Sequence, residues 1–99
     1  MIEKQIIKLM LNKDFYAEYK GQVSRNVFQG SFGSLYDTIQ KAHDKYDASI
    51  SIDELYSLHT AVFNPALTRA AKEQFSELLE DIKETQQPSK EIADDIIKI

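Results

Sequence analysis

Leu35-Tyr36-Asp37-Thr38-Ile39-Gln40-Lys41-Ala42-His43-Asp44-Lys45-Tyr46 is the stretch on which the fold turns. Leu35, Ile39, Ala42 and Tyr46 stand at i, i+4, i+7 and i+11, a spacing that aligns apolar side chains on one face of a helix and that the two-residue alternation of a strand cannot use. Ser31 or Ser34 is available as the N-cap, so a helix is expected up to about Tyr46. Towards the N-terminus, Ile2, Ile6, Leu9 and Met10 repeat the helical spacing and predict an opening helix. Asn12-Lys13-Asp14 interrupts it, with Asp14 placed to cap a short second turn carrying Phe15, Tyr16 and Tyr19. Gly21 to Gly33 holds all three glycines of the chain and reads as irregular, anchored on the core by Val23, Val27, Phe28 and Phe32.

On the C-terminal side, Ser51-Ile52-Asp53-Glu54 fits a capping box, the serine hydroxyl accepting from a first-turn amide and the glutamate reaching back to the amide of the cap. Ile52, Leu55, His59 and Val62 then share one side of the helix it starts. Asn64-Pro65 is expected to stop that helix and begin the next, since the ring excludes Asn64 from the α region and Pro suits a first helical position. Leu67, Ala71, Phe75, Leu78 and Ile82 make the following stripe. Gln86-Gln87-Pro88-Ser89 breaks it, and Ile92, Ile96 and Ile99 open a last face that is still running at Ile99 without a C-cap glycine. The expected architecture is all-α: one helical domain over residues 1–99, a small bundle of about five to six helices, with the last, from about residue 89, truncated from a longer protein.

Composition narrows the function classes. Ninety-nine residues fit one domain, and sixteen acidic against twelve basic residues, a net charge of −4, argue against a free-standing nucleic-acid binder. The absence of cysteine excludes a disulfide framework, a thiolate metal site and a cysteine nucleophile. No apolar run reaches the roughly 18 residues of a membrane span, and the polar start is unlike a signal peptide, so a soluble, cytoplasmic domain without membrane contact is expected.

Few residues invite chemistry. Gly30-Ser31-Phe32-Gly33 lacks the lysine and the preceding strand of a phosphate cradle and reads as a turn. His43 and His59 would need a third ligand such as Asp44 or Asp47 to hold a metal; both fall on or beside apolar stripes and read as partly buried, so no metal site and no catalytic residue is expected. Aromatics before position 47 interleave with Lys13, Lys20, Arg25, Lys41 and Lys45 as a single-strand stacking platform would, but they sit at spacings that serve a core. The remaining feature is acidic. Glu73, Glu77, Glu80 and Glu84 form a straight stripe about 200° around the helix from Ala71 and Phe75. Their mutual repulsion costs about 0.2–0.5 kcal/mol per pair, against about 1.5–3 kcal/mol for each large apolar residue the same helix buries, so the helix tolerates the stripe whether or not it has a use. Residues 1–46 carry seven basic and five acidic groups (+2) and residues 47–99 five and eleven (−6), which makes the stripe a candidate docking face for a basic protein.

The order of these segments resembles the N-terminal domain of replicative DNA helicases of the DnaB family, most closely the version in T4-like bacteriophages. The resemblance rests on Glu3 with the apolar run Ile6 to Leu11, Asp14-Phe15-Tyr16, Val27-Phe28, the helix from Leu35-Tyr36-Asp37-Thr38-Ile39 to Tyr46, Ser49-Ile50-Ser51-Ile52-Asp53-Glu54-Leu55, and Leu78-Leu79-Glu80-Asp81-Ile82. Asn64-Pro65-Ala66-Leu67-Thr68-Arg69 differs from the glycine-rich segment of many bacterial members. The helical hairpin that pairs neighbouring subunits in the family would begin near Ser89 and is largely missing. The resemblance implies a non-catalytic collar domain, joined to a motor domain holding ATP and Mg, that assembles into a hexamer and contacts primase or a helicase loader in the host cytoplasm. A stand-alone helical adaptor using the acidic face is the alternative, and a small hydrolase built on the histidines and carboxylates a third reading.

Overall fold

The computed structural model of the chain describes residues 2–98, whose regular structure is all helical, with no strand among them. Six α-helices follow in order: α1 (Ile2–Met10), α2 (Lys13–Tyr19), α3 (Ser31–Lys45), α4 (Ile52–Ser57), α5 (Arg69–Glu84) and α6 (Lys90–Ile97). A single 3-10 turn, Arg25–Val27, lies in the glycine-bearing stretch, and α4 runs on into a π-helical segment, Leu58–Phe63. The radius of gyration is 12.8 Å, near the roughly 13 Å of a compact chain of about 100 residues, so the helices close on one core. At its centre lies α1, which touches α2, α3, α5 and α6 and buries Ile6, Ile7, Leu9 and Met10.

The helix starts show where local chemistry decided. Asn12, and not Asp14, caps α2: its backbone is extended and its Oδ1 accepts from the Phe15 amide at 2.9 Å, which leaves Asp14 inside the first turn. At α3 neither Ser31 nor Ser34 is the cap. Gly30 takes that position with φ +56°, a left-handed conformation that glycine adopts freely, and no side chain bonds the first amides. The capping box at α4 is present in full, with Glu54 N–H donating to Ser51 Oγ at 3.0 Å and Ser51 N–H to Glu54 Oε1 at 2.9 Å. Asn64-Pro65 ends the preceding helix but does not begin α5; Thr68 does, accepting from the Ala71 amide at 3.1 Å.

Three apolar faces differ from their expected register. In the π-helical segment hydrogen bonds run i to i+5, so each residue turns less about the axis than in an α-helix. His59 stays buried, but by Val62 the face has rotated away from Leu55 and the valine is 49% exposed. The core face of α5 is Phe75, Leu79 and Ile82, with Leu78 only partly buried. In α6 the buried residues are Ala93 and Ile97, while Ile92 is 56% exposed and Ile99 lies outside the described residues. Ile2 and Tyr46 sit at helix ends and are largely exposed. Of the loop anchors, Val23 and Phe28 are buried, Phe32 is half-buried and Val27 is exposed.

Candidate functional site

Glu73, Glu77, Glu80 and Glu84 are all exposed on the outer side of α5, opposite Phe75, Leu79 and Ile82. The structure therefore brings the four predicted residues onto one face. Arg69 Nε approaches Glu73 at 3.5 Å; Glu77, Glu80 and Glu84 take part in no ion pair among the described residues.

What fixes that face is α1. Lys8 Nζ donates to the carbonyls of Lys83 at 2.9 Å and Thr85 at 2.6 Å, satisfying acceptors that the end of α5 leaves without intrahelical partners and setting a cation at the negative end of the helix dipole. Lys4 reaches Asp81 at 3.6 Å. A second such tie holds α1 itself, where His43 Nε2–H donates to the Met10 carbonyl at 2.7 Å and the imidazole stacks on Tyr16 at 4.2 Å. Nothing in the sequence marks Lys8 for this role, because its partners lie more than seventy residues away.

Beside the acidic face the surface is hollowed. One depression of about 440 Å³ is lined by Ile50, Leu58, Tyr46, Asp53 and Glu54 among others. A second, of about 220 Å³, lies between α4 and α5 over Ile52, Tyr56 and Leu79, and its edge includes Asp53 and Glu80. Asp53 and Ser57 line both, so the hollows adjoin across α4. The Ser51 backbone N–H and hydroxyl hold the Glu54 carboxyl below its usual pKa, which keeps it ionised at neutral pH. Sequence reading identified Asp53 and Glu54 as part of a cap; their nearness to Glu80 depends on how α4 packs against α5, which no local pattern records.

The two histidines stand in separate environments. His59, only 2% exposed, accepts at Nδ1 from Thr38 Oγ1–H at 2.7 Å. Asn64 Nδ2 donates to the His59 carbonyl at 2.9 Å and lies 3.3 Å from the same Nδ1, which fixes the amide orientation and puts the imidazole proton on Nε2. That Nε2 has no hydrogen-bond partner among the described residues, and the ring packs edge-on to Phe75 at 4.2 Å. Burial holds the imidazole below its ordinary 6.5, so it is neutral at physiological pH. A hydroxyl beside an imidazole is the geometry of an activated nucleophile, but Thr38 and His59 are both sealed from solvent, and the pair acts here as a pin between the π-helical segment and α3. Among the described residues no three His, Cys, Asp or Glu gather as metal ligands do.

The cationic residues considered for a stacking platform are spread over the surface. Lys13 pairs with Asp47 at 2.9 Å and Arg25 with Asp37 at 3.1 Å, while Lys41 lies over the Phe63 ring and Lys45 over Tyr46. Phe28 and Tyr36, stacked at 4.5 Å, are buried in the core. Among the described residues no helix is long and apolar enough to cross a membrane. The chain matches no protein-family model, no curated protein and no solved structure.

Proposed function

We propose that this chain is the non-catalytic assembly and partner-contact domain of a DnaB-family replicative DNA helicase of the T4-like phage type, whose unwinding runs on ATP and Mg in a separate motor domain. The observation that supports the reading is the coincidence of the resembling segments with the helical framework. The run Ile6 to Leu11 lies in α1 and its end, Asp14-Phe15-Tyr16 in α2, Leu35 to Lys45 in α3, Ser51 to Leu55 at the start of α4, and Leu78 to Ile82 in α5. In this reading α5, pinned through Lys8, presents Glu77, Glu80 and Glu84 to a basic surface on primase or on a helicase loader, where long-range attraction speeds encounter and sets orientation. The experiment is to read the gene beyond Ile99 and purify its full product. The proposal predicts a P-loop motor and DNA-dependent ATP hydrolysis that persists when residues 1–99 are deleted; a stop codon after Ile99 overturns it.

One observation favours a second reading, a helical adaptor with no motor behind it. Glu77, Glu80 and Glu84, exposed on one side of α5 and in no ion pair among the described residues, offer a basic protein a charged face that needs no helicase behind it. The same stop codon, joined to retained binding of such a protein, is the result that distinguishes it.

A further inference from the structure

We propose that the two adjoining hollows across α4 form one trough that binds a lysine- or arginine-rich amphipathic helix of another protein. The larger hollow is mostly apolar, with Ile50 and Leu58 in its lining, and the smaller is mixed, setting Ile52, Tyr56 and Leu79 beside Ser57 and Ser76. The edges are acidic, with Asp53 common to both, Glu54 on one and Glu80 on the other, and neither hollow is lined by a lysine or arginine. Lys45 lies over the ring of Tyr46, which lines the larger hollow away from Glu80, and Lys8 lines a separate hollow beside Ile50 and Ile52, so a basic partner's charges go towards Asp53 and Glu80. Asp53 and Glu80 form no ion pair among the described residues, so their charge is available to a partner.

A mostly apolar hollow joined to a mixed one, beside carboxylates in no ion pair among the described residues, calls for a ligand that is apolar on one face and cationic at its flanks, which is the surface of a basic amphipathic helix. The inference rests on the reading of the domain as a protein-contact module, and it does not depend on a motor domain following it.

The test uses residues 1–99, isotopically labelled, titrated with a synthetic helical peptide that carries leucine on one face and lysine on the other. Amide shifts are expected at Ile50, Asp53, Ser57, Leu58 and Leu79. Binding weakens about tenfold when salt rises from about 0.05 M to about 0.5 M, because exposed ion pairs are screened. Asp53→Lys with Glu80→Lys weakens it by at least about tenfold, and Glu91→Lys, exposed on α6 and outside both hollows, changes it less than about twofold. Asp53→Asn with Glu80→Gln, which removes both charges without setting a cation in the first turn of α4, weakens it in the same direction. Equal binding of a peptide with serine in place of leucine overturns the proposal by reducing it to undirected attraction. Equal binding of a glutamate-for-lysine peptide overturns it by reducing it to apolar adhesion, and self-association that produces the same shifts overturns it by giving the trough to a second copy. Failure here leaves the P-loop criterion for the helicase reading untouched.

Discussion

Replacing Lys8 by methionine removes one ammonium and keeps most of the aliphatic stem. In the native chain that ammonium meets two carbonyls at the end of α5, at 2.9 and 2.6 Å. Hydrogen bonds from a charged donor contribute about 1.5–3 kcal/mol when buried, but one of these is exposed and the other part-buried, so water replaces much of the loss. Taking about 0.5–1 kcal/mol for each bond and about 0.5 kcal/mol for the lost charge at the helix end gives a destabilisation near 2 kcal/mol. For a domain of this size that corresponds to a fall in Tm of roughly 8–16 °C. Urea unfolding followed by circular dichroism measures it, and amide exchange should quicken first in the last turn of α5. A change below about 0.3 kcal/mol, or faster exchange spread evenly over all helices, would refute the claim that Lys8 secures α5.

Other substitutions test other contacts. Because His59 is held below its ordinary 6.5, the unfolded chain takes up a proton that the folded chain refuses; stability is therefore full above pH 6.5 and falls as pH drops from there towards the folded value. Urea midpoints should decline over that window with a slope of at most about 1.4 kcal/mol per pH unit, and His59→Gln should flatten it. The Tyr36 hydroxyl is buried without a partner among the described residues and burial pushes its pKa up to about 12, so Tyr36→Phe should be neutral or raise stability by about 1 kcal/mol; a clear loss would reveal a bond to that oxygen. Gly30→Ala, at φ +56°, should cost about 1–2 kcal/mol despite open space around it. Gly33→Ala places a Cβ 2.5 Å from the Arg25 guanidinium carbon, and moving that group breaks its bonds to Asp37 and to the Phe28 carbonyl, so despite better helix propensity the urea-unfolding free energy should fall by about 1 kcal/mol.

Much of the fold is legible because its signals are local. The Leu35–Ala42 stripe, the Ser51 capping box and the Gln86–Ser89 break each depend on residues within a few positions, and each is found where the spacing puts it. The misplacements have physical causes of the opposite kind. Val62 leaves the core because the π-helical segment turns less per residue while His59 is held inward on Thr38, twenty-one residues away, a partner no local spacing records. Ile92 and Ile97 have equal claims by hydropathy; Tyr19 Oη–H, donating to Asp94 at 2.6 Å, turns α6 so that Ala93 and Ile97 face inward. At the candidate site, the glutamate stripe follows from helical periodicity alone. The trough beside it does not, since α4 and α5 become neighbours only through tertiary contact.

The proposed helicase reading is tested most directly by the affinity of this domain for a primase or helicase loader from the same source, measured by titration calorimetry at low and high salt. The account predicts saturable binding that weakens with salt and falls at least about tenfold when Glu77 and Glu80 are both changed to lysine, with the helical spectrum unchanged. Binding that is indifferent to both salt and charge reversal would contradict it.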